Sequence, residues 1–154
     1  MKDRWLPLGV LAGVLFAVNV VARLIIRFGF ADDVDAADRM SLGMFALIGV
    51  ILGTVAFLWG RRRPVSQWSP EVAGAVLVAL TLTIFVGPFI SGTQPFANGA
   101  GQFFSQIWLY AGFTLGGALI GFLVLTALGL DYRSQSLKRY AESRQAKPRK
   151  IVRR

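Results

Sequence analysis

From Val72 to Leu130 the chain runs for 59 residues without one charged side chain. An ordinary soluble domain is about one-quarter charged along its whole length. A bilayer core about 30 Å thick needs roughly 20 apolar residues of helix, so this stretch is too long for one crossing and long enough for two. Its middle is polar and glycine-rich, from Ser91 through Pro95 to Gln102, and such a segment reads as a loop between two spans. Two more charge-free stretches precede it, Trp5–Ala22 with 18 residues and Met40–Gly60 with 21. The spacing predicts an all-α membrane protein, a four-transmembrane-helix bundle with spans near 5–28, 40–60, 71–90 and 104–130. Residues 1–130 form one transmembrane domain on this reading, and 131–154 form a basic cytoplasmic tail. Lys2 and Arg4 ahead of an apolar run resemble a signal peptide, but the run exceeds the usual h-region and no small-x-small site follows it directly. It is therefore read as the first span.

Start and stop signals sharpen the ends. Asp3 is placed to cap the first helix before Trp5-Leu-Pro7, Asp38 to cap the second, and Ser69-Pro70-Glu71 to open the third. Gly87-Pro88 should kink or terminate the third helix, and Gly129 should close the fourth. Ser134 to Gln145 is expected to extend the fourth helix as an amphipathic stretch, with the segment around Pro148 disordered.

Arginine and lysine set the orientation. Lys2 and Arg4, then Arg61, Arg62 and Arg63, then the nine basic residues after Leu130 make fourteen of the seventeen, all on one side of a four-span chain. The opposite side has Arg39 among Asp32, Asp33, Asp35 and Asp38. Both termini are therefore expected in the cytoplasm, with the chain in the cell inner (cytoplasmic) membrane. Trp5, Trp59 and Trp68 fall at the expected inner headgroup level and Trp108 near the outer one, where amphipathic rings settle. Arginine outnumbers lysine 13 to 4, which together with abundant alanine, glycine and valine points to a GC-rich bacterial source.

An offset of 63 residues aligns Trp5-x-Pro7 with Trp68-x-Pro70 and Gly49-x-x-x-Gly53 with Gly112-x-x-x-Gly116. Two parallel-repeat helical hairpins would give that pattern. So would a shared habit of starting each outward helix with an interfacial tryptophan and a proline.

Four motifs place small residues on one helix face: Gly9/Gly13, Gly49/Gly53, Gly112/Gly116 and Gly117/Gly121. Lipid gives no hydrophobic drive between helices, so close backbone approach must supply association. Packing within the monomer explains some of these faces. A bundle this small does not need all four, which leaves self-association or docking onto another membrane protein for the rest.

Asn19, Arg23 and Arg27 recur at i, i+4 and i+8 on the first helix. Arg23 lies roughly 27 Å along it from Trp5 at about 1.5 Å per residue, near enough to the outer boundary to snorkel, and Arg27 can meet Asp32 or Asp33. A second stripe, Gln102, Gln106, Tyr110 and Thr114, repeats at i+4 on the outer half of the fourth helix, with Gln106 and Tyr110 near the level of Arg27 and Arg23. If the two stripes face each other they form an outward-opening polar pocket suited to a small anion or a lipid headgroup. On the inner side, Arg61, Arg62, Arg63, Arg133, Lys138 and Arg139 are the expected anionic-lipid contacts, at about 1 kcal/mol each near the surface. Nucleic acid is a weaker partner for this charge, since no binding module accompanies it.

The chain has no cysteine and no histidine, and no span holds Asp, Glu or Lys away from its ends. No metal ligand set, no cofactor and no catalytic residues are expected, and proton-coupled transport lacks its titratable group. The best-supported expectation is a non-catalytic accessory or scaffold subunit acting through helix contacts. A homo-oligomeric channel or carrier built on the polar pocket is the alternative.

Overall fold

A computed structural model describes residues 2–30, 33–92, 94, 96 and 99–145. Asp32, Pro95, Pro148 and the basic residues from Lys147 onward, on which expectations above rest, lie outside the described residues. All regular structure among those described is helical: α1 (Lys2–Gly29), α2 (Val34–Arg62), α3 (Val65–Phe85), α4 (Gly87–Ser91), α5 (Gly99–Ala127) and α6 (Tyr132–Gln145). Four helices are long and apolar enough to cross a membrane. Only 17 to 33% of the most apolar window of each is buried inside the bundle. Much of the rest is exposed, including Val10, Val50, Leu77, Leu115, Leu119 and Ile120, an apolar surface far beyond the patches a soluble monomer exposes.

The ends differ from expectation in ways the local chemistry explains. Asp33, not Asp38, caps α2: its Oδ1 accepts from the Ala36 amide at 3.0 Å, and Asp38 stands a turn inside. α1 already runs from Lys2, so Asp3 is within the helix. α3 begins at Val65 behind Pro64, which places Ser69, Pro70 and Glu71 inside it. The connection from α2 is correspondingly tight. Arg63 is extended (φ −135°, ψ 149°) because it precedes a proline, and one further residue starts the next helix.

Gly87-Pro88 acts as expected. Proline lacks an amide hydrogen and its ring crowds the carbonyl four residues back, so α3 stops at Phe85 and a separate single turn, α4, follows. Gly92 closes α4 at φ 78°. Gly129 (φ 63°) lets the chain leave α5, with the Gly129 and Leu130 amides bonded back to Thr126 and Leu125 at 2.9 and 3.2 Å. α6 then starts anew, its Ser134 amide bonded to Asp131 Oδ2 at 3.1 Å, so it does not extend α5. Leu137 and Tyr140 on it are exposed.

The helices associate unevenly. α2 lies along α5 in the largest interface, α1 lies along α3 in the next, and cross-contacts close the bundle. Gly74 of α3 faces Leu8, while Gly87 at the other end faces Arg23, so α1 and α3 run in the same direction. Gly49 meeting Phe113 and Gly60 meeting Phe122 and Leu125 show the same for α2 and α5. Leu15, Ile48, Leu52, Ala75, Ala79 and Tyr110 are fully buried where the four come together. One end of the bundle carries Gly60, Trp68 and Leu125, and the other carries Arg23, Arg27 and α4.

Candidate functional site

Asn19, Arg23 and Arg27 stand on one face of α1, as their spacing requires, and that face meets the break between α3 and α4. Arg23 Nε donates to Asn19 Oδ1 at 3.0 Å, Nη1 to Ser91 Oγ at 3.0 Å, and Nη2 reaches the Thr83 carbonyl at 3.5 Å. Its guanidinium lies so close over Gly87 that an added Cβ there would sit 2.8 Å from Nε. One turn on, Arg27 Nη1 donates to the Ile90 carbonyl at 2.7 Å, and the guanidinium also lies 5.8 Å from the Phe28 ring centre. The physical logic is that of a broken helix. Ending α3 at Phe85 and α4 at Ser91 leaves carbonyls without helical donors, and two cations placed at helix C-termini match both the carbonyls and the dipole. Asn19 is buried (1% exposed) and spends its amide on the Met44 sulfur at 3.2 Å.

The α5 stripe is placed differently. Tyr110 is fully buried, its ring edge-on to Phe45 at 6.4 Å, and its hydroxyl has no hydrogen-bond partner. Thr114 is buried and turns its hydroxyl back to the Ala111 carbonyl at 3.0 Å; Gln106 is partly buried. Tyr110 thus shares the central cluster with core residues of α1, yet among the described residues no hydrogen bond joins the two stripes. Thr83, fully buried beside Arg23, likewise has a hydroxyl that finds no partner among the described residues. Neither Asp33 nor any other described carboxylate pairs with Arg23 or Arg27; Asp33 is occupied as the α2 cap.

Ser91, Thr83 and the Ile90 carbonyl were not among the expected partners. The signal for them was present in Gly87-Pro88. A predicted helix break at the depth of two arginines implies freed carbonyls for those arginines to meet.

The glycine faces divide cleanly. Gly49 and Gly53 pack directly on Gly117 and Gly121. A Cβ added at Gly117 would overlap the Gly49 carbonyl, and one at Gly121 the Gly53 carbonyl. Gly9, Gly13, Gly112 and Gly116 have open space: an added Cβ meets nothing within 4 Å. Between α2 and α5 lies an open groove of about 710 Å³ lined by Gly49, Gly53, Gly112 and Gly116 and by Trp108 and Ile120.

Of the basic residues, Arg61, Arg62, Arg133, Lys138 and Arg139 are exposed. Arg63 is engaged: Nη1 lies 3.2 Å from Glu71 Oε2, and the guanidinium stacks 6.0 Å from the Trp59 ring centre. The architecture and site define a helical bundle whose apolar helices suit a membrane. No protein-family model, no curated protein and no solved structure matches the chain.

Proposed function

We propose that this chain is a small multi-pass protein of the cell inner membrane, with both termini in the cytoplasm, serving as a non-catalytic accessory or scaffold subunit through helix–helix contacts. The observation that carries the reading is the surplus of open glycine faces. The α2–α5 seam consumes Gly49, Gly53, Gly117 and Gly121, while at Gly9/Gly13 and Gly112/Gly116 an added Cβ meets nothing within 4 Å. Small residues on an outward face let a partner helix approach the backbone, and the α2–α5 groove is broad enough to receive side chains from such a helix. The side-chain inventory supports a non-catalytic role, since no histidine or cysteine is present to act as base, nucleophile or ligand.

Orientation rests on the fourteen clustered basic residues. Arg61, Arg62 and Arg63 and, on α6, Arg133, Lys138 and Arg139 then face anionic lipid of the inner leaflet. The 63-residue offset is read as a duplicated hairpin, supported by the fact that α1 lies along α3 and α2 along α5, so equivalent helices are neighbours. A second reading, a channel or carrier for a small anion or lipid headgroup, draws on the buried hydroxyls of Thr83 and Tyr110 that find no partner. Such groups are costly in an apolar interior unless water or a ligand meets them.

Native mass spectrometry of the tagged chain, purified from its own host in mild detergent or nanodiscs, separates the readings. A stoichiometric second protein supports the accessory role. A homo-oligomer with no foreign subunit overturns it and moves attention to the carrier reading.

A further inference from the structure

We propose that Arg23 and Arg27 form a binding site for a phosphate group at the end of the bundle that carries α4, with Ser91, whose hydroxyl donates to the Gly87 carbonyl at 3.3 Å, fixing the Arg23 guanidinium rather than meeting the ligand. The proposal rests on the polar-pocket reading for its location, but it requires no transport.

Two guanidinium groups one helical turn apart on α1 carry two formal charges, and neither pairs with a carboxylate among the described residues. Like charges at i, i+4 repel, and Arg23 is only partly open to solvent. The acceptors they do have are neutral: a side-chain amide, a hydroxyl and two backbone carbonyls. Those contacts orient the groups without neutralising them. They also leave donors over. A guanidinium has five N–H donors; Arg27 uses one of these on the Ile90 carbonyl, and its side chain is exposed. Arg23 keeps the second hydrogen on each terminal nitrogen. Its Nη1 is bound to Ser91 Oγ, its guanidinium lies over Gly87 and that of Arg27 lies over Gly92, so both groups stand against the same short helix.

Held forks with spare parallel donors are the geometry that recognises phosphate oxygens, and arginine is preferred for it because its plane matches two oxygens at once. A single anionic group between them cancels the repulsion and fills donors that the protein leaves unused. The chemistry fits the phosphodiester of a lipid headgroup and free inorganic phosphate alike. The depth of the site, at the end of apolar helices, suits either source.

The test uses the full-length chain, delipidated in a phosphate-free maltoside detergent, titrated by calorimetry with short-chain phosphatidylglycerol and, separately, with inorganic phosphate. Arg27→Gln is the informative variant because its side chain is exposed and its loss leaves the core intact, and Arg39→Gln, an exposed arginine of α2 outside the site, is the control. Saturable binding of the lipid, weakened about tenfold or more by Arg27→Gln and unchanged by Arg39→Gln, supports a headgroup site. The same pattern with inorganic phosphate supports a free-anion site. Phenylglyoxal labelling of the unaltered chain, read by peptide mass spectrometry, gives a second measurement independent of any variant: the bound ligand must protect Arg27 and not Arg39. Absence of saturable binding by both probes, or binding that ignores Arg27→Gln and leaves Arg27 unprotected, overturns the proposal. Flux of either ligand across proteoliposomes tests the carrier reading separately, so binding without flux leaves the site standing and removes the carrier.

Discussion

Gly121→Ala places one methyl group where the structure has no room for it. The added Cβ overlaps the Gly53 carbonyl oxygen and lies 2.6 and 2.7 Å from the Gly53 carbonyl carbon and Cα. Optimal carbon–carbon separation is about 3.5–4.0 Å, so α2 and α5 must part locally by about 1 Å. Nothing flexible can yield in their place, because the clashing atoms are backbone. Overpacking of this kind costs about 1–3 kcal/mol. The intrinsic helix gain of alanine over glycine, about 0.5–1 kcal/mol, offsets part of it, leaving a net destabilisation of about 1–2 kcal/mol. Gly117→Ala meets Gly49 in the same way. The double variant should cost less than the sum, since parting the seam for one methyl makes room for the other one turn away. Gly112→Ala and Gly116→Ala are the matched controls on the same helix: with nothing within 4 Å, they should be neutral or stabilising by up to about 1 kcal/mol. The assay is reversible unfolding in mixed micelles of rising SDS fraction, followed by tryptophan fluorescence, since Trp68 is buried against Phe122 at this seam. Equal stability of Gly121→Ala and Gly112→Ala, or a reversed order, would refute the assignment of Gly117/Gly121 to the inner face.

Further outcomes follow from the same contacts. Arg23→Leu removes the donor to Asn19, Ser91 and the Thr83 carbonyl, so hydrogen exchange of the amides in 87–92 should quicken by about tenfold or more, at about 1.5 kcal/mol for the charged bonds lost. Unchanged exchange, with folding and localisation intact, would show that the arginine does not hold α4. Tyr110→Phe deletes a buried hydroxyl without a partner and should be neutral or stabilising by about 1 kcal/mol in the same unfolding assay; a clear loss of stability would mean that the hydroxyl is bound in the membrane. Gly129→Ala forces a side chain into the left-handed region at φ 63°, so the Leu130 amide should lose protection by an amount worth about 1–2 kcal/mol, and retained protection would count against the turn.

How much of this was legible in the sequence depends on what fixes each feature. The four spans were readable because bilayer thickness sets a length and lipid forbids charge, and both are written in the chain itself. The break at Gly87-Pro88 was readable for the same local reason. Helix starts were not. Lys2, Val34 and Val65 open their helices ahead of the apolar runs, since polar residues at a boundary are as able to be helical as apolar ones. Pairing was legible only in part. That Gly49/Gly53 needs a small-residue partner follows from composition, but Gly112/Gly116 and Gly117/Gly121 are equally small, and only the tertiary rotation of α5 selects the second pair. Likewise the shared face of Asn19, Arg23 and Arg27 follows from their spacing, whereas the partners of Arg23 came from α3 and α4 because helix adjacency is a property of the bundle rather than of any one stripe.

Every reading above depends on the four-span topology, and the absence of cysteine from the sequence makes that topology easy to map. Single cysteines at Ser66, Ser143, Asp35 and Gln102 in intact cells, treated with a membrane-impermeant maleimide, place each connection on one side. Four spans with both termini in the cytoplasm require labelling of Asp35→Cys and Gln102→Cys in intact cells, and of Ser66→Cys and Ser143→Cys only after permeabilisation. Labelling of Ser66→Cys or Ser143→Cys from outside would contradict it.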